Sequence, residues 1–167
     1  MSALPIQQFP DPLLKKPTRS VGHITAEVTK LIAAMLATMR HHPRCVGLAA
    51  PQIGSPLRIA VMDASVHPKT TSSHGPLVLV NPRILASEGA LVGREGCLSV
   101  PDFTGNVRRA TRIHLAAQNQ TGEEFQVWMG GFEAIVAQHE VDHLDGLLFL
   151  DRVENVSTDI FKRKTYL

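Results

Sequence analysis

The sequence is poor in the residues that mark several classes of protein. It has two cysteines, one tryptophan and one tyrosine in 167 residues, and its formal net charge is +2. Cys45 and Cys97 cannot form the kind of disulfide framework that holds small secreted proteins together, so we expect both thiols to be reduced. The small net charge is not typical of a nucleic-acid-binding protein, and we expect no DNA partner.

Long apolar runs are also missing. The longest nearly apolar stretch, residues 31–39, is too short to span a bilayer. The first twenty residues contain Pro5, Pro10 and Pro12 and carry neither a secretory signal nor a transit pattern. We therefore expect a cytoplasmic protein with no membrane partner; an organelle is the alternative compartment.

Domain organisation follows from length and composition. No repeat, low-complexity block or flexible linker divides the chain. Its hydrophobic content of 44% is sufficient for one well-packed core, and 167 residues are short for two. The sequence therefore predicts one domain over residues 1–167.

Apolar spacing predicts two helices with strands between them. Thr25 is a suitable N-cap for a first helix that ends near Pro43. The stretches 56–63 and 75–82 are short apolar runs bounded by prolines, a pattern typical of strands. Residues 111–129 alternate, turn and alternate again, which predicts a hairpin. A second helical stretch runs to Gly146, a suitable residue for a helix end, so we expect an α+β fold.

The second helix carries the stretch AQHEVDHLDG, residues 137–146. His139 and His143 are four residues apart and therefore lie on one helix face, with Glu140 beside them. This is the spacing that metallohydrolases use to hold an ion and a general base; a polar patch on an ordinary helix is the alternative. Asp142 is predicted either to orient a ligand histidine or to have a surface or capping role.

Two histidines do not complete a metal site, and the position of the third ligand distinguishes the classes of metallohydrolase. The metzincin arrangement requires a third histidine where this chain has Phe149. Glu154 is the only glutamate after the motif and lies too close for a separate helix. Upstream, Cys97 is in the strand-like segment REGCLSVP, and Gly96 would let another chain approach the backbone. Alone, Cys97 would be a buried inert thiol, but with the helix motif it becomes the candidate ligand.

Three separated motifs resemble those of the peptide deformylase family. They are VGLAAPQ at residues 46–52, EGCLS at 95–99 and QHEVDHLDG at 138–146, and the likeness extends from residue 5 to about 155. The resemblance implies a single-domain α+β fold in which antiparallel sheets pack around a central helix bearing the two histidines. It also implies hydrolytic removal of the formyl group from the N-terminal methionine of nascent polypeptides, with release of formate.

The resemblance implies a role for each motif residue. Cys97, His139 and His143 would bind one divalent ion, Fe(II) in most relatives, with zinc, nickel or cobalt as alternatives. Metal-bound water would be the nucleophile and Glu140 the general base and acid. The side chain of Gln52 and the backbone N–H of Leu98 would stabilise the oxyanion.

The resemblance also predicts a substrate pocket. Backbone near Gly47 would pair with an extended peptide, and the methionine side chain would lie among apolar residues beside the site. The predicted substrate-binding residues are Val46, Gly47, Glu95, Gly96, Leu98, Ile135 and Val136. We further predict that Glu95 pairs with Arg109, because an uncompensated carboxylate next to the site would be costly.

Two features depart from the family pattern. Cys45 occupies a position where relatives commonly have glycine, and it is predicted to fill a small buried space or to restrict the turn. The chain ends in FKRKTYL instead of a longer basic helix, so we expect a solvated tail with at most weak ribosome contact. The alternative functions are another metal-dependent amidase or peptidase, and a noncatalytic, metal-containing peptide-binding relative.

Overall fold

The computed structural model describes residues 2–164 of the chain. Within that range the chain forms three α-helices, eight strands and several 3-10 turns. In chain order the helices and strands are α1 Ala26–His41, β1 Gly47–Ala49, β2 Ile59–Met62, β3 Leu77–Glu88, β4 Leu91–Cys97, β5 Val100–Arg109, β6 Arg112–Gln118, β7 Glu124–Gly130, α2 Gly131–Leu144, α3 Val156–Asp159 and β8 Ile160–Lys162.

The strands form two antiparallel sheets. The larger has the order β1-β2-β3-β6-β7, and the smaller has the order β4-β5-β8. The predicted hairpin is present as β6 and β7, with Ile113 opposite Met129 and Leu115 opposite Val127. The predicted α+β class is confirmed, since antiparallel sheets enclose the helix that carries the histidines.

The larger sheet is covered on both faces because its side chains alternate. Ile59 and Val61 of β2 point into a core shared with α1, whereas Ala60 and Met62 point into a core shared with α2. This follows from the two-residue repeat of a strand. A third core packs the smaller sheet against the chain that follows α2. Helix α2 is therefore central rather than a surface helix with one apolar face.

The ends of the helices follow local sequence signals. The Thr25 side chain accepts a hydrogen bond from Val28 N at 3.3 Å, which caps α1 as predicted. Helix α2 ends before Gly146, whose φ of +78° is the left-handed conformation that favours glycine. No helix within residues 2–164 combines the length and apolar character needed to cross a membrane.

Candidate functional site

Cys97, His139 and His143 meet between the two sheets. Each offers one donor atom, and these three atoms lie within 4.8 Å of one another. Cys97 is the last residue of β4, while the histidines lie one turn apart on α2. Cys97 Sγ is 3.3 Å from His143 Nε2. The fold thus brings the upstream cysteine to the helix, as the sequence predicted.

The chemistry of these donors fits a divalent metal ion. Burial alone would raise the pKa of Cys97, but the charge of His143 and hydrogen bonds with both imidazoles lower it well below its usual range. The thiolate is the form that binds a metal. One sulfur and two imidazole nitrogens suit zinc or ferrous iron and leave a coordination position for solvent or substrate. The cluster can therefore hold the ion that the sequence motif predicts.

A carboxylate fixes the orientation of His139. Glu95 Oε1 lies 2.9 Å from His139 Nδ1, which leaves the other ring nitrogen for the cluster. Arg109 donates to both Glu95 oxygens, from Nε at 2.8 Å and from Nη2 at 2.9 Å, so the predicted ion pair is present. Burial alone would raise the pKa of Glu95, but hydrogen bonds from His139 and Arg109 lower it to about 2.

Asp142 is buried behind this pair and contacts neither histidine. Arg109 Nη1 donates to Asp142 Oδ2 at 2.5 Å, and Arg152 Nη2 donates to Oδ1 at 2.8 Å. A surface position for Asp142 was wrong, because the two arginines compensate its charge inside the protein. Among the described residues, hydrogen bonds through Arg109 and Glu95 link Asp142 to His139.

Glu140 is buried next to the cluster with one oxygen free. Its Oε2 atom has no hydrogen-bond partner among the described residues. Burial raises the pKa of Glu140 above its usual value. A Cβ built on Gly47 would collide with Glu140 Oε1, so strand β1 approaches the carboxylate as closely as only glycine permits. A carboxylate with a raised pKa and a free oxygen is suited to proton transfer.

Gln52 and Leu98 are both neighbours of Cys97. Gln52 Oε1 accepts a hydrogen bond from Ala49 N at 2.9 Å, which fixes the side-chain amide. Gln52 Nε2 then lies 3.4 Å from Cys97 Sγ and 3.2 Å from Ser99 Oγ. Leu98 and Ser99 form the two-residue turn between β4 and β5. Both predicted oxyanion donors therefore border the cluster.

The cluster lies in a cavity of about 450 Å³. His67, Lys69 and Phe132 form part of its wall. The cavity is lined by every predicted site residue except His143, namely Val46, Gly47, Gln52, Glu95, Gly96, Cys97, Leu98, Ile135, Val136, His139 and Glu140.

Residues 3–159 match the profile of the Polypeptide deformylase family. The chain belongs to the peptide deformylase family. Its members are metal-dependent hydrolases, so the chain is an enzyme of that class. The fold that the deformylase motifs implied is thereby confirmed.

Relatives and solved structures of deformylases resemble nearly the whole chain. The peptide deformylase of Syntrophobacter fumaroxidans is 40% identical over 164 residues, which cover 98% of this chain and 94% of that protein. The crystal structure of peptide deformylase from Thermotoga maritima superimposes with a TM-score of 0.84 at 37% identity, covering 93% of this chain and 100% of that one. A Met-Ala-Ser-bound deformylase from Acinetobacter baumannii has a TM-score of 0.84 at 34% identity, covering 91% and 100%.

The cavity of this deformylase also contains residues that no motif indicated. The His67 ring stacks on Phe132 with the ring centres 4.4 Å apart, and Lys69 and Arg163 line other parts of the wall. Phe132 is part of α2, whereas His67, Lys69 and Arg163 lie outside the motifs and reach the site only in the folded chain. Cys45 lines the cavity too, and its Sγ donates to the Gly47 carbonyl at 3.2 Å.

Proposed function

We propose that the chain removes the formyl group from the N-terminal methionine of newly made polypeptides, and that residues 1–167 act as one catalytic domain. The observation that carries this proposal is the cluster of Cys97, His139 and His143 with the free oxygen of Glu140 beside it. Membership of the deformylase family supports the reaction. Hydrolysis breaks the amide C–N bond, adds water, and yields formate and a free amine.

We propose Fe(II) as the resident ion, held by Cys97, His139 and His143. Zinc, nickel and cobalt are the alternatives, because one thiolate and two imidazoles suit each of them. Such an ion supplies Lewis acidity, which makes water a nucleophile near neutral pH and polarises the formyl carbonyl.

Glu140 is the proton carrier of this proposal. Its free Oε2 takes a proton from the attacking water and delivers one to the departing amine. The raised pKa supports both roles, because a carboxylate that is too acidic would not return the proton. The Gly47 backbone at its other oxygen limits where the carboxylate can move.

Gln52 and Leu98 stabilise the charge that gathers on the formyl oxygen. The fixed Gln52 amide presents N–H groups at the cluster, and Leu98 N–H belongs to the turn next to the thiolate. Donors held in place before the reaction act mainly on the transition state. We therefore assign the oxyanion to these two groups.

The apolar part of the cavity is the proposed methionine pocket. Val46, Leu98, Ile135 and Val136 line it, and the edge strands β1 and β4 lie on either side. An extended peptide can pair with such edges through its backbone. The relative from Acinetobacter baumannii binds Met-Ala-Ser, which supports a peptide that begins with methionine.

Nascent formylated chains are the proposed partner, and the cytoplasm, or alternatively an organelle, is the proposed compartment. We propose at most weak ribosome contact, because Lys162, Arg163 and Lys164 are the few basic residues near the end of the described chain. Residues 165–167 of the tail lie outside the described residues.

The decisive experiment measures formate release by protein purified without oxygen, with metal analysis of the same sample. We expect rapid release of formate from formyl-Met-Ala-Ser and no release of acetate from acetyl-Met-Ala-Ser. Equal cleavage of both peptides would identify a broader amidase. Cleavage of unblocked Met-Ala-Ser would identify a peptidase, and no cleavage of any peptide by metal-loaded protein would overturn the proposed function.

A further inference from the structure

Arg163 forms hydrogen bonds with the turn that contains Leu98. Its Nη2 donates to the carbonyl oxygens of Cys97 and Val100, at 3.3 Å each, and lies 3.5 Å from the carbonyl oxygen of Phe103. Cys97 and Val100 are paired residues on either side of the turn. One guanidinium group thus contacts both ends of the turn.

The C-terminal strand places Arg163 at this position. Strand β8 pairs with β5, with Lys162 opposite Phe103. Arg163 N then donates to the Asp102 carbonyl at 2.8 Å, so its backbone is fixed on β5, close to the end of the turn at Val100. A Cβ built on Gly96 would lie 2.9 Å from Arg163 Nη2. Glycine at position 96 therefore leaves the space that the guanidinium occupies.

The charge of Arg163 is directed at carbonyl groups. No carboxylate of residues 2–164 lies within ion-pair distance of it. Hydrogen bonds from a cation to a carbonyl are stronger than those between neutral groups. The group that receives this bond at Cys97 is half of a peptide unit whose other half is the N–H of Leu98.

The peptide unit between Cys97 and Leu98 transmits the effect. A trans peptide is planar, so fixing its carbonyl oxygen on one side fixes the direction of its N–H on the other. A charged donor on the carbonyl also polarises the N–H and makes it a better hydrogen-bond donor. The Leu98 N–H is the proposed oxyanion donor, so this inference rests on the proposed function.

We infer that Arg163 is a positioning residue for deformylation: by binding the Cys97 carbonyl, its guanidinium aims and polarises the Leu98 N–H. Loss of a whole oxyanion donor costs about 10²–10³ in turnover. A donor that remains but is poorly aimed should cost less, about tenfold.

The test compares Arg163→Ala and Arg163→Lys with Lys164→Ala, which removes the same charge from the neighbouring residue. We expect Arg163→Ala to lower kcat about tenfold with KM within twofold of the parent, and Arg163→Lys to recover most of that loss. Metal content should be unchanged in all three variants. Lys164→Ala should have the kinetic constants of the parent.

A second measurement does not depend on activity. In the zinc-loaded protein, the amide resonance of Leu98 should shift when Arg163 becomes alanine and should stay in place in Lys164→Ala. The inference would be overturned if Arg163→Ala left the Leu98 resonance in place and kcat within twofold of the parent. It would also be overturned if Lys164→Ala lost as much kcat as Arg163→Ala. If the parent releases no formate, the proposed function fails, while the Leu98 resonance still tests the contact.

Discussion

At the scale of single residues, Glu140 is the side chain whose exchange is most informative. Glu140→Gln keeps the size of the side chain but removes its ability to accept a proton. General acid–base catalysis contributes about 10²–10⁴-fold to a rate, so we expect kcat for formate release to fall by that range. Bound metal, measured on the same preparation, should not change, because Glu140 is not one of the three ligands.

The control for this variant is Glu27→Gln, at an exposed position in the first turn of α1. It makes the same chemical change far from the cavity and should leave kcat unaltered. If Glu140→Gln retains more than a tenth of the parent's activity, Glu140 is not the proton carrier.

The thiol of Cys45 should be unreactive in the folded protein. Burial, and then the charge of Glu140, raises the pKa of Cys45 from 9.0 to about 12. The thiolate is the form that alkylating reagents attack, so at pH 8 the peptide containing Cys45 should be modified slowly before denaturation and rapidly after it. Peptide mass spectrometry measures both rates. Equal rates would contradict a half-buried, protonated thiol.

The same shift has a consequence for stability. Because the pKa is higher in the folded than in the unfolded chain, the contribution of Cys45 is present below pH 9.0 and is lost as the pH rises towards about 12. Cys45→Gly should flatten that alkaline loss, which thermal unfolding between pH 8 and pH 10 can measure.

At the scale of structural elements, Arg109 links the smaller sheet to helix α2. It joins Glu95 of β4 and Asp142 of α2, and both carboxylates are buried. Arg109→Met would remove the cation that two buried carboxylates share, which costs about 3–5 kcal/mol in unfolding free energy. Urea unfolding followed by circular dichroism measures the loss.

Arg108 provides a matched control for this prediction. It is the adjacent residue on β5, but it is exposed and pairs with Glu154 at the surface. Exposed ion pairs contribute little, so Arg108→Met should leave the unfolding midpoint unchanged within error. A similar midpoint for both variants would show that the Arg109 network does not hold the elements together.

Local patterns predicted the elements that have local causes. The Thr25 cap, the β6–β7 hairpin and the Gly146 helix end all depend on residues close in sequence. Strand β3 continues past Pro82 to Glu88, although the proline was predicted to bound it. Asn81 has a φ of +51° and the register with β6 shifts there, so Pro82 lies at an irregularity where no ladder N–H is required.

Contacts between distant elements could not be read from the sequence in the same way. The tail was predicted to be solvated, but Ile160–Lys162 pairs with β5 as strand β8. A strand of three residues is too short to show a periodic pattern in the sequence. It forms because β5 offers an open edge. Cys97, His139 and His143 could be predicted to cluster because they belong to motifs with a fixed spacing, whereas Arg163 contacts backbone and leaves no motif.

At the scale of the whole molecule, the donor cluster of Cys97, His139 and His143 lies where β4 of the smaller sheet meets α2. Any ligand that binds only the folded state raises its stability, by about 2.7 kcal/mol when the free ion is at 100 times its Kd. We expect zinc added to metal-free protein to raise the thermal midpoint by about 5–10 °C. Differential scanning fluorimetry measures the shift.

Variants of the two cysteines distinguish zinc binding at the cluster from zinc binding elsewhere on the protein. Cys97→Ala removes one of the three clustered donors and should abolish the shift, whereas Cys45→Ala should preserve it. A shift of equal size in both variants would place the stabilising ion elsewhere.

The Leu98 turn is held from both ends of the chain, because Phe9 N donates to the Ser99 carbonyl at 2.8 Å while Arg163 binds from the other side. Its supports are thus separated by more than 150 positions in the order of synthesis. During synthesis, α2 and Cys97 therefore emerge before the arginine that binds the Leu98 turn. We expect this turn to reach its final geometry only after residue 163 has been made.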